Sequence, residues 1–180
     1  MGLTKYIIPI VLAVLTLLSC SNDKSLQKYL VDKQDDDKFL KVDVATSLLQ
    51  SEDSSFTQEQ KDILETVKKV NVVAYKISKD NMAEYESEKK KLAEIINQEK
   101  YKTLMKFGSN KQGATLKYLG EEDAIDEVIV FASDNEKGFA VFRLLGKDMR
   151  PDQMIKLMNS IDNGDIDVSK LSGIGELFEM

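Results

Sequence analysis

Four β-like segments joined by short polar connections constrain this fold more than any other feature of the sequence. The segments are Tyr101–Phe107, Ala114–Leu119, Ile125–Ala132 and Phe139–Leu145. Their connections are rich in Gly, Asn and Asp, which tolerate the backbone angles of tight turns. Connections this short join only antiparallel neighbours, because a parallel pair needs a crossover of about a dozen residues or more. The sequence therefore predicts a four-stranded meander.

Two further strands are predicted before the meander. Phe39–Ala45 is β-rich, and the apolar side chains of its later part alternate with Lys and Asp, as expected for a strand with one buried face. Val70–Ile77 is almost continuously apolar, which favours a position inside the sheet.

Helices are predicted between these strands and after the meander. Thr57 and Asn81 have the character of N-cap residues, and Glu84 is placed to complete a capping pair with Asn81. Pro151 is suited to the first position of a final helix, and the spacing of apolar residues in Leu26–Leu30 indicates a short additional one. The order β-α-β-α-β-β-β-β-α predicts an α+β fold: a two-layer sandwich with a mainly antiparallel sheet and helices packed on one face.

The amino terminus has the pattern of a bacterial lipoprotein signal peptide. Lys5 precedes an apolar run at residues 6–18, which is shorter than the roughly 20 residues of a membrane-spanning helix. Leu17–Cys20 then has the form of a lipobox, which makes Cys20 the predicted lipidation site. We expect residues 1–19 to be a signal peptide, 20–34 a lipidated tether, and 35–180 a single globular domain. Ser21 after the cysteine favours the outer membrane, with the domain facing the periplasm.

Composition excludes several classes of function. The formal net charge is −6, which argues against nucleic acid as a partner, since such binding depends on neutralising phosphates. The chain has no histidine, which is the usual proton shuttle near neutral pH. Cys20 is its only cysteine, so the lipidated protein would have no free thiol. The acidic run Asp35–Asp37 lacks the spacing of a calcium loop and is interpreted as a solvated turn. We therefore expect no metal, no cofactor and no catalytic residues.

Three functions remain open at this stage. The first is a non-catalytic binding module that engages another envelope protein through the open face of the sheet, an edge of the sheet or the helix face around Lys89–Lys91. A solvated face is the simpler interpretation of that lysine cluster. The second is a carrier of a small apolar ligand or lipid, suggested by Met154, Met158, Phe131 and Phe142. The third is a hydrolase that uses carboxylates gathered by the fold.

A resemblance to a known family accompanies these patterns. The strand Val72–Ile77, the long helix after it, the meander and the segments Leu144–Gly146 and Asn163–Val168 resemble the DUF4252 family over about Phe39 to Leu171. The ending follows a Gly-x-(Ile/Phe)-Asp-(Val/Leu) pattern. The resemblance implies a small lipoprotein of the Bacteroidetes envelope without an assigned activity. It brings no catalytic residues to this chain.

Overall fold

The computed structural model of the protein describes residues 24–45, 56–109 and 111–162. The described residues form a six-stranded sheet and four helices. Along the chain these are α1 Leu26–Asp32, β1 Phe39–Ala45, α2 Gln58–Thr66, β2 Val67–Lys76, α3 Met82–Ile96, β3 Lys102–Gly108, β4 Gln112–Glu121, β5 Ala124–Asp134, β6 Gly138–Met149 and α4 Pro151–Asp162. The predicted signal peptide, Cys20 and the ending Gly164–Val168 lie outside the described residues.

The strands lie in the order β1-β2-β6-β5-β4-β3, and every neighbouring pair is antiparallel. Strands β3 to β6 follow one another as neighbours, so the predicted meander is confirmed. Strand β2 lies between β1 and β6, which confirms its interior position. The last strand of the meander thus pairs with β2 and joins the two halves of the chain, while β1 and β3 form the edges.

One side of the sheet, here called the aromatic face, is covered by α1 and α3. Its strands contribute Phe39, Tyr75 and Phe139, and the rings of Tyr75 and Phe139 stack with centroids 5.8 Å apart. Helix α3 places Tyr85 and Leu92 on this layer, and both are fully buried. Stacked and tilted aromatic pairs of this kind stabilise a core beyond the area they bury.

Helix α1 belongs to this packed layer. Ser25 caps it by accepting a hydrogen bond from the Lys28 amide at 3.0 Å. Leu26 is fully buried and Tyr29 nearly so, both within the cluster on the aromatic face. The short helix predicted from the spacing of Leu26, Tyr29 and Leu30 is confirmed, and it lies inside the range expected to form a tether.

The opposite side of the sheet, here called the methionine face, is covered by α2 and α4. Ile63 of α2 and Met154 of α4 pack there with Val128 and Met149 from the strands. The α+β class and the antiparallel sheet are confirmed, but helices lie on both faces rather than on one. The reason is visible in Val72–Tyr75, where consecutive residues are buried and so fill both sides of the strand.

The two predicted helix caps have different outcomes. Thr57 is the N-cap of α2, as its sequence predicts, and it also forms a complete capping box with Gln60. The capping pair predicted for α3 does not form. The Asn81 side chain instead accepts a hydrogen bond from the Ser78 amide at 2.7 Å, within the preceding turn. Glu84 is engaged by Lys38, whose Nζ donates to the carboxylate at 2.8 Å.

Candidate functional site

A cleft of about 400 Å³ lies between α3 and the ends of β3, β4 and β5. Three cationic side chains line it: Lys89 from α3, Lys106 from β3, and Lys111 from the β3–β4 hairpin. We call it the lysine cleft. The lining also includes the polar residues Thr115 and Ser133 and the apolar residue Phe131.

The register of the sheet brings the floor of the cleft together. Lys106 lies opposite Thr115, and Thr115 lies opposite Phe131, so these residues form one row across β3, β4 and β5. Gly113 lies two rows further along β4, where a Cβ atom would come within 2.8 Å of the Phe107 carbonyl oxygen. A glycine at this position therefore lets the hairpin close tightly beside the cleft.

The cleft is cationic in an acidic protein. The whole chain has 31 Asp and Glu against 25 Lys and Arg, yet the described cleft lining contains no carboxylate. Within the described ranges, neither Lys106 nor Lys111 has a carboxylate at ion-pair distance. Lys89 is held in place, since its Nζ donates to Asn135 Oδ1 at 3.2 Å and lies 5.3 Å from the centre of the Tyr85 ring.

A fourth lysine extends the positive charge along β4. Lys117 is buried, and its Nζ donates to the Tyr101 carbonyl oxygen at 3.4 Å. Burial lowers the pKa of Lys117, and the nearby charge of Lys106 lowers it further. The repulsion between these two ammonium groups would be relieved by an anion bound near Lys106. The arrangement is suited to holding negative charge.

The sequence interpretation named Lys89 but missed Lys106 and Lys111, although a signal was present. The stretch 101–120 contains Lys102, Lys106, Lys111 and Lys117 but no Asp or Glu. A run of 20 residues without a carboxylate is unusual in a chain where 31 of 180 residues are acidic. Charge patterning of this kind indicates a cationic surface once strand pairing places the lysines together.

The three lysines of the candidate surface at Lys89–Lys91 have different environments. Lys89 lines the cleft, whereas Lys91 pairs with Glu88 at 2.7 Å and Lys90 is exposed. The solvated-face interpretation therefore describes Lys90, while Lys89 is directed to the candidate site.

The residues named for a lipid carrier do not share one cavity. Phe131 packs on the aromatic face and lines the cleft. Phe142, Met154 and Met158 pack on the methionine face, against α2 and the strands. Because the sheet separates the two groups, these four side chains do not surround a single apolar guest.

A second polar centre lies within the sheet. Arg143 Nη2 donates to Glu127 Oε2 at 2.9 Å, and Arg143 also contacts Gln27 of α1. Both charged side chains are buried, and Glu127 Oε1 and Arg143 Nε have no hydrogen-bond partner among the residues that the structure describes. Burial and the neighbouring Glu127 raise the pKa of Tyr101 to about 12. This pair ties α1 to the central strands.

Metal-ligand geometry is missing from the described part of the chain, where no three carboxylate side chains cluster closely enough to hold an ion. The run Asp35–Asp37 lies in the turn between α1 and β1, as predicted. There the Asp36 carbonyl oxygen accepts a hydrogen bond from Lys41 Nζ at 3.0 Å.

Comparison with known families assigns the chain. The family model described as a domain of unknown function, DUF4252, matches residues 29–157. The chain belongs to the DUF4252 family. The match includes α1 from Tyr29 onward and all six strands, and it ends before the Asn163–Val168 pattern. The expected family is thus confirmed, on a region that starts earlier than the resemblance suggested.

No curated protein and no solved structure matches this DUF4252 chain. Among the described residues, no helix has the length and apolar composition required to cross a bilayer.

Proposed function

We propose that this DUF4252 protein is an outer-membrane lipoprotein, anchored through an acylated Cys20, whose domain faces the periplasm and binds an envelope protein without catalysis. The lysine cleft is the binding site, and it takes an anionic group of that partner. The observation that carries the proposal is the convergence of Lys89, Lys106 and Lys111 on a cleft without a carboxylate, in a chain of net charge −6.

The absence of catalytic pairing among the described residues supports a binding role. The buried acids there are Glu88 and Glu127, and each is paired with a cation. Burial alone would raise the pKa of Glu88, but hydrogen bonds from Lys91 and Lys33 outweigh it and hold that pKa below its ordinary value. A general acid in a glycosidase needs the opposite shift. A carboxylate-based hydrolase is therefore the weaker candidate.

The carrier alternative has a specific weakness. Its candidate residues lie on opposite sides of the sheet, and the cleft that Phe131 lines is cationic at its walls. Such a lining suits an anionic group better than an acyl chain, because an acyl chain lying on these lysines would remove their ammonium groups from water without giving them a partner.

Photo-crosslinking in cells tests the binding module. A photoreactive residue at Gln112, which is exposed and lines the cleft, is compared with one at Gln58, which is exposed on α2. We expect a discrete protein adduct at Gln112 that disappears in the Lys106→Glu/Lys111→Glu variant, and none at Gln58. An adduct at Gln112 that survives charge reversal, or no adduct there, would contradict the proposal.

A further inference from the structure

The edge strand β3 offers more than charge, because one side of its backbone has no strand partner among the described residues. In that part of the chain it is the last strand of the sheet and pairs only with β4. Most of its residues are exposed, and the Phe107 side chain is 47% exposed. An edge strand presents a row of N–H and C=O groups to which another extended chain can add.

The opposite edge is less available. On β1, Lys41 Nζ donates to the Gln34 and Asp36 carbonyl oxygens, both at 3.0 Å, so this side chain is fixed against the preceding turn. Asp43 accepts from Asn71 at 2.6 Å and pairs with Lys69 at 3.0 Å. The charges of β1 are therefore satisfied internally, whereas Lys106 on β3 has no ionic partner among the described residues.

Charge decides what can pair with β3. The register of β3 shifts between Thr103 and Met105, which leaves Met105–Gly108 as the regular stretch beside the cleft. A second copy of the chain pairing there would bring like charges together at Lys106, which disfavours self-association. An added strand directs alternate side chains to one face. Carboxylates at alternate positions would therefore meet Lys106 and the cleft.

We propose that the ligand of the lysine cleft is an extended acidic segment of a partner protein, which adds to β3 as a seventh strand. This inference rests on the proposed function and names its partner class. Backbone pairing along Met105–Gly108 supplies affinity, and carboxylates at alternate positions supply specificity for the lysines.

Hydrogen exchange of the full mature protein in detergent tests this. The probe is a seven-residue peptide that alternates Glu and Thr, and its control is the same peptide N-methylated at alternate residues, which keeps the charge but removes backbone donors. We expect the free-edge amides of β3 to exchange at least about tenfold more slowly with the probe, and the methylated peptide to bind about tenfold more weakly.

Each other outcome has a defined meaning. Equal binding of both peptides, or unchanged exchange along β3, overturns strand addition while leaving the anionic site intact. Stronger binding to phosphatidylglycerol vesicles than to the peptide overturns the partner class in favour of lipid headgroups. Loss of all binding, with inorganic phosphate included as a probe, overturns both this inference and the proposed function.

Discussion

Tyr29 donates a hydrogen bond to Glu88 at 3.1 Å, and this buried contact joins α1 to α3. The same carboxylate pairs with Lys33 at 3.0 Å and with Lys91 at 2.7 Å. Helix α1 is thus held in place by polar contacts to Glu88 as well as by the apolar packing of Leu26. Because α1 is fixed, the point at which the chain enters the domain is fixed too.

Glu88→Gln should destabilise the domain by about 2 kcal/mol at pH 7, since it removes a charged acceptor from three donors. Hydrogen bonds from Lys91 and Lys33 hold the pKa of Glu88 below its ordinary value of 4.5, against the effect of burial. The contribution of Glu88 is therefore complete above about pH 4.5 and is lost as the pH falls through the lower folded-state pKa. Urea denaturation from pH 3 to 7 measures both effects.

The control for this prediction is Glu86→Gln, an exposed residue on the same helix. It should leave the free energy of unfolding within about 0.5 kcal/mol of the unmodified protein. If Glu88→Gln loses stability in acid as steeply as the unmodified protein does, the carboxylate is not the group that titrates.

The pair Arg143 and Glu127 should show strong coupling. Their side chains are only 10% and 6% exposed, so Arg143→Met leaves a buried carboxylate without its partner and should cost about 3 kcal/mol. The double variant Glu127→Leu/Arg143→Met should lose less stability than either single variant, because neither charge of this pair is left buried without its partner. A double-mutant cycle by urea denaturation measures this. Simple additivity of the two single changes would show that the contact contributes nothing.

Local sequence patterns predicted most of the elements but not all of their contacts. The meander was predictable because its turns are short, and the N-cap at Thr57 was predictable because capping involves only neighbouring residues. The capping pair of Asn81 and Glu84 was predicted wrongly because each side chain has another partner. Asn81 accepts a hydrogen bond from the nearby Ser78 amide, and Glu84 accepts one from Lys38, which is distant in the sequence. Placement of helices on both faces depended on how the continuous apolar run Val72–Tyr75 divides between them.

The candidate site was less predictable because it depends on register. Lys106 and Thr115 are neighbours only through the pairing of β3 with β4, and Lys89 joins them from a helix. The lack of carboxylates in residues 101–120 could have indicated a cationic surface. It could not have shown that the surface encloses a cleft, since that requires the position of α3.

The proposed anchor makes a separate prediction. Cys20→Ser in cells should abolish the mass added by acyl chains and move the protein from the membrane fraction to the soluble fraction, because two or more chains are needed for stable anchoring. Mass spectrometry and fractionation measure this, with Ser21→Ala as the control. A Cys20→Ser protein that remains in the membrane fraction would show that another segment holds it there.

The most direct test of the account is the affinity of the lysine cleft for an anion. Calorimetric titration with hexaglutamate compares the mature protein with Lys106→Gln/Lys111→Gln and with Lys28→Gln/Lys68→Gln, which removes the same charge from exposed lysines outside the cleft. We expect the cleft variant to bind hexaglutamate about tenfold more weakly than the mature protein, and the control variant to bind it no more than about twofold more weakly. The affinity of the mature protein should fall as salt is added. Equal weakening in both variants, or binding that ignores the cleft lysines, would contradict the account.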